Sequence, residues 1–173
     1  MSHTLIVLPD DTIHAILDPI NAAKRSLNIR MFLFTEPTLL HAVIAAHHRG
    51  VNVRVMLNPA RRNGKSENEK ARKALLAAGI KVRDSSAAFA LTHQKSMVID
   101  DKIGFVESLN WEPRDLTETR DYAVTTTKKS EVKEMIRCFD ADWARKPFKP
   151  DPKSRLLWCP NNGRERIATI IDA

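Results

Sequence analysis

Glycine is scarce in this chain, with five in 173 residues, while 43% of the residues are hydrophobic. That balance excludes a low-complexity or disordered chain. Cysteine is scarcer still: Cys138 and Cys159 have no C-x-x-C context and read as reduced structural thiols. No apolar run is long enough to span a bilayer. The N-terminal stretch lacks the basic start and small-residue cleavage site of a signal peptide. A cytoplasmic location is therefore expected, with peripheral contact to an anionic membrane left open. Histidines at metal-ligand spacing are also lacking. His47 and His48 are adjacent and do not face one another, and His14 and His41 stand alone. No catalytic metal and no cofactor are expected. Acidic residues are outnumbered, 21 against 28 Lys and Arg, for a net charge of +7. A basic balance favours anionic partners such as nucleic acid, acidic lipid or phosphate, without choosing among them.

What is present is an alternation of strand and helix signals in a chain long enough for one domain with a real core. Thr4 to Leu8 reads as a strand. Asp10 and Asp11 can cap a helix carrying Ile13, Ile16, Leu17 and Ile20, with Pro19 as a kink or break. Leu27 to Phe34 reads as a strand. A helix follows, opened by Thr35 and Pro37 and closed by Gly50. Val51 to Leu57 alternates as a strand. Ser66 and Glu69 suggest a capping box before a helix over 71–78, closed by Gly79. Ile80 to Arg83 is a short strand, Asp121 to Thr126 another, and Ser130 to Ala144 a helix. The class is α/β with a mixed sheet. The basic loop Asn58 to Lys65, with Arg61 and Arg62, reads as a solvated loop or a steering site for a polyanion.

The informative stretch is Thr92 to Asn110. His93 and Lys95 are two apart, so on a strand they share a face. Val98 and Ile99 suit a strand. Asp100 has the opposite parity at the strand's end, where Asp100 and Asp101 suggest a turn into a second strand, 102–106. The hairpin returns Ser108 and Asn110 towards His93. An imidazole can act as nucleophile or acid/base, an ammonium can hold a phosphate oxygen, and an amide and a hydroxyl add donors. Together they point to a phosphodiester site. Trp111 fits either a pocket rim, where it could stack on a base, or the core.

The pattern His93-x-Lys95-x4-Asp100, followed by Ser108-x-Asn110, resembles the HKD motif of the phospholipase D superfamily. The stretches Trp111 to Thr117, Thr119 to Val124, Phe139 to Trp143 and Arg164 to Arg166 resemble its bacterial members. The resemblance implies a phospholipase D-like mixed sheet flanked by helices, holding one HKD half. It also implies that His93 is a nucleophile forming a phosphohistidine and that the histidine of a second motif protonates the leaving oxygen. Lys95 and Asn110 would bind the phosphate, with Ser108 as a supporting donor. Asp121 would orient the imidazole, and Asp100 would support the motif from behind. One position departs from the family: Glu107 stands where a glycine usually precedes the serine. It places a carboxylate near the phosphate or points away from it.

Lys146 opens a proline-rich stretch, and the chain then repeats its own beginning. Leu156, Pro160, Ile167, Ile171 and Ala173 align without a gap on Leu5, Pro9, Ile16, Ile20 and Ala22. The expected organisation is an HKD domain over 1–146, a linker over 147–155, and a truncated strand–turn–helix start of a second repeat over 156–173. The leading expectation is a cardiolipin synthase-like phosphodiesterase or phosphatidyltransferase whose second HKD motif comes from a partner half or a homodimer mate. The alternatives are a metal-independent homodimeric endonuclease and a non-catalytic phosphate-binding half. Substrates are accordingly phospholipid or nucleic acid.

Overall fold

The computed structural model describes residues 2–60, 64 and 66–173. Arg61, Arg62 and Lys65 of the basic loop lie outside the described residues. Thirteen elements follow in chain order: β1 (His3–Leu8), α1 (His14–Ala22), β2 (Ser26–Met31), α2 (Pro37–His48), β3 (Asn52–Leu57), α3 (Glu69–Ala77), β4 (Lys81–Asp84), β5 (Lys95–Ile99), β6 (Ile103–Glu107), α4 (Pro113–Thr117), β7 (Asp121–Thr126), α5 (Lys129–Trp143) and α6 (Gly163–Ile171).

The strands form one mixed sheet in the order β1-β7-β6-β5-β2-β3-β4. β2, β3 and β4 run parallel through helical crossovers, and the remaining pairs are antiparallel. Its α/β, helix-flanked character agrees with the sequence reading. The core lies between one sheet face and helices α1, α2 and α3. Ile29 and Val55 from the strands meet Ile16, Ile20, Val43 and Leu75 from the helices. On the opposite face, Val132 and Met135 of α5 pack on Val98. β5 is covered on both faces, and all five of its residues are buried. That suits the consecutive apolar residues Met97, Val98 and Ile99 in its second half.

Caps differ from expectation in two places. Asp11 does not cap α1; its carboxylate accepts from the Val7 amide at 2.8 Å. Ser66 does not form a capping box, because α3 begins after Asn68. The Asn68 side chain is used instead as a buried tie. Its Nδ2 donates to the Phe32 and Asn58 carbonyls, and its Oδ1 accepts from the Phe34 amide. These bonds fasten the loop after β2 to the loop after β3. Pro19 is accommodated inside α1.

Among the described residues, the strand expected at the start of 156–173 does not form. Residues 147–161 cross the α5 face of the sheet, where Leu156 and Trp158 pack on the Val98, Val132 and Met135 cluster. Packing against an apolar surface decides the local conformation there, because the segment has no strand partner. The expected helix is present as α6.

Candidate active site

The β5–β6 hairpin builds the site. Asp100 and Asp101 both adopt left-handed backbone, φ 54° and 55°, which Asp tolerates better than most residues. The Asp100 carboxylate accepts the backbone amides of Lys24, Arg25 and Ser26 at 3.0, 2.7 and 3.0 Å. Burial alone would raise its pKa. The three amides, together with the Arg25 charge, outweigh that and hold it below its ordinary value. Asp100 therefore pins the start of β2 to the hairpin tip, at the opposite end of β5 from His93 and about 20 Å from it at the usual strand rise.

At the working end, β5 starts at Lys95, which is only 3% exposed. Its Nζ lies 3.1 Å from both ring nitrogens of His93 and donates to the His93 carbonyl at 2.9 Å. Phe32 floors both side chains. Its ring centroid is 4.7 Å from the His93 ring and 5.3 Å from Lys95 Nζ. The imidazole itself is exposed. Burial and then the Lys95 charge lower its pKa, which favours the neutral ring with its lone pair. Burial also lowers the Lys95 pKa, while Asp115, Asp121, Glu107 and Glu112 raise it. This acidic surround favours the ammonium form in a dry position.

Asn110 lies after β6. Its backbone amide and Nδ2 both donate to one Asp115 oxygen at 2.9 Å, and its buried Oδ1 has no partner among the described residues. One Nδ2 hydrogen is thus spent on Asp115 and the second is left for a ligand. Ser108 Oγ donates to Asp121 Oδ1 at 2.6 Å and accepts from the Tyr122 amide at 2.9 Å. Asp121, expected to orient His93, meets two hydroxyl donors here. Thr119 donates to its second oxygen at 2.6 Å, so both oxygens are held by hydroxyls, and Asp121 acts on Lys95 through its charge. β7 begins at Asp121, and the Ser108 amide donates to the Tyr122 carbonyl at 2.8 Å, which sets Ser108 beside Asp121.

Glu107 points inward. It sits directly across from Lys95 in the β5–β6 ladder and is 7% exposed. Its Oε2 accepts from the Trp111 indole N–H at 2.9 Å, and its Oε1 is buried without a partner. Burial pushes the carboxyl up to about 7, against the Trp111 hydrogen bond and the Lys95 charge. Trp111 is a core residue, fully buried and edge-on to Phe34 with centroids 4.8 Å apart. It is neither a pocket rim nor a stacking platform.

Sequence reasoning passed over Asp115 and Phe32. Asp115 lies in the first turn of α4, a helix it also passed over. Pro113 at the first helical position after Glu112 was the available signal. Phe32 has no local signature, because its role depends on which strand lies beside β5. Among the described residues, no group of three or more His, Cys, Asp or Glu side chains is placed to hold a metal ion.

A mixed seven-stranded sheet that ends in a neutral histidine held against a buried lysine defines the class of protein. Residues 16–143 match the family described as cardiolipin synthase, phospholipase D-like domain, and the chain belongs to it. It is 28% identical over 135 residues to human "Mitochondrial cardiolipin hydrolase", covering 78% of this chain and 52% of that protein. It is 31% identical over 167 residues to "Cardiolipin synthase A" of Cronobacter sakazakii, covering 87% of this chain and 34% of that one. The chain thus spans about half the length of the cardiolipin hydrolases it matches. Among solved structures, the phospholipase D family member Nuc from Salmonella typhimurium shares the fold. Its TM-score is 0.74 at 22% identity, covering 87% of this chain and 99% of that one.

Proposed function

We propose that this chain is the HKD half of a phosphodiesterase or phosphatidyltransferase that works through a phosphohistidine. The observation that carries the reading is the His93–Lys95 pair, a neutral imidazole with a buried ammonium 3.1 Å away. His93 attacks phosphorus, and the bond from phosphorus to the leaving oxygen breaks. The histidine of a second HKD motif gives that oxygen its proton. Water or an alcohol then loses its proton to the second histidine and displaces His93 from phosphorus. Water gives hydrolysis and an alcohol gives transfer. Lys95 and the free Asn110 N–H hold the phosphate oxygens as charge develops. Asp115 orients Asn110, and Asp121 holds Ser108.

The second motif comes from a partner half or a second copy of the chain. The internal repeat supports a partner half: Ile16 and Ile20 are buried in α1, while the aligned Ile167 and Ile171 on α6 are exposed. Turnover of bis-p-nitrophenyl phosphate in EDTA tests the reading across protein concentrations, with the missing half added where the chain alone is silent. Metal-independent turnover that is lost in His93→Asn is expected. Folded protein that stays silent under every condition would sink it.

The net charge of +7 and the single motif favour a second reading, a homodimeric endonuclease. It predicts nucleic-acid affinity that falls steeply with salt.

A further inference from the structure

The hairpin carries a carboxyl group that the proposed reaction does not use. Glu107 ends β6, directly across from Lys95 at the start of β5. Directly opposed residues of an antiparallel pair point to the same face, with Cβ atoms about 5 Å apart. Lys95 and Glu107 are both buried, so water screens their charges little. The pair lies where the core meets the site. On the core side, Glu107 Oε2 accepts from the indole of the fully buried Trp111. On the site side, Lys95 Nζ makes its hydrogen bonds to His93. Glu107 Oε1 is buried and has no partner among the described residues.

That free oxygen limits what the carboxyl can do. As a carboxylate it needs a cation, and the cation across the ladder is Lys95. The other charges acting on Lys95 are negative: Asp115 of α4, Glu112 before it, and Asp121 at the start of β7. Ala123, which faces Glu107 from β7, brings no charge. Glu36 lies on the core side, its amide on the Trp111 carbonyl and its carboxylate on the Leu39 amide. An ionised Glu107 and a bound phosphate therefore draw on the same buried ammonium, and two anions so placed repel one another. Burial already raises the carboxyl to about 7, so both of its forms are within reach near neutral pH.

We propose that Glu107 and the phosphate of a bound phosphodiester compete for Lys95, so that the phosphate enters together with a proton taken up by the Glu107 carboxyl. The proton comes from solvent, and no other bond changes. Glu107 touches no substrate; it is a positioning residue that sets the charge of the site through Lys95. The inference rests on the reading above that Lys95 holds the phosphate, and it adds how that site is regulated: its affinity for a phosphodiester monoanion falls as pH rises.

At an effective dielectric of about 20, two charges roughly 8 Å apart shift one another's pKa by about one unit or more. The test uses dimethyl phosphate, which stays a monoanion across the working range, so any proton taken up goes to the protein. The glutamate carboxyl carbons are isotope-labelled and followed by NMR, and the Glu107 signal is the one absent from Glu107→Gln. Its titration midpoint should rise by about one unit when dimethyl phosphate is saturating. By linkage, affinity should fall about fivefold between pH 6.5 and 8.5 in the native protein and less than about twofold in Glu107→Gln. If the variant fails to fold, the carboxyl carbon is identified through its hydrogen bond to the Trp111 indole, and the midpoint alone decides. Dimethyl phosphate that binds and leaves the midpoint unmoved would overturn the inference while the phosphate site stands. So would an affinity that falls equally in both proteins. Absence of binding at every pH would remove Lys95 as the phosphate holder, and the inference with it. Failure of the phosphodiesterase reading shows separately, as absent turnover of bis-p-nitrophenyl phosphate.

Discussion

Replacing Glu107 by glutamine should make the protein more stable at pH 8 and change little at pH 4.5. The folded state raises this carboxyl from 4.5 to about 7. A carboxyl whose pKa is raised by folding binds its proton more tightly in the native state. Its stabilising contribution is full below about pH 4.5 and is lost as pH climbs through about 7. At about 1.4 kcal/mol per pKa unit, the loss across that window is on the order of 3 kcal/mol. Glutamine keeps the shape and can still accept from the Trp111 indole, but it never ionises. Urea unfolding of both proteins at half-unit steps from pH 4.5 to 8.5 isolates the residue, because titrating groups that do not interact with Glu107 cancel in the difference. The advantage of the variant should grow through the window and level off above pH 7. A difference that stays flat with pH would refute the claim that burial raises the Glu107 pKa.

Other outcomes follow from the same geometry. Asp100→Ala strips a charged acceptor from three backbone amides and should destabilise the fold by about 3 kcal/mol in thermal or urea unfolding. Residual folded protein should keep its turnover, because the carboxylate lies far from His93. Lys95→Met should lower kcat by about a hundredfold or more, with Tm preserved or raised, since the variant removes a buried charge. The lowered His93 pKa predicts that kcat/KM rises with pH through an inflection below 6.5, as the ring loses its proton. An inflection above 6.5 would contradict the neutral imidazole.

Much of this was legible because it is local. Strand and helix types followed from apolar periodicity, and β7 was expected at 121–126, where it lies. The pairing of His93 with Lys95 on one strand face follows from spacing two. What stayed hidden depends on contacts made across the fold. Of the hydroxyls that meet Asp121, the β6–β7 pairing brings Ser108 to it, while Thr119 lies two residues away in the chain. The inward turn of Glu107 depends on the Trp111 indole, which the local pattern left between core and rim. The strand expected at the start of 156–173 followed from its alignment on residues 5–22, yet a strand needs a neighbour, and an apolar cluster on α5 claimed Leu156 and Trp158 instead.

The most direct test of the account is to catch the covalent intermediate. The protein, paired with its second HKD half where needed, is mixed with excess phosphodiester and quenched in alkali, where a phosphorus–nitrogen bond to histidine survives. Its mass is then measured intact and after digestion. The account predicts one phosphoryl-ester adduct on the peptide containing His93, absent from His93→Asn. Substrate consumed with no adduct on that peptide, or turnover that survives His93→Asn, would contradict it.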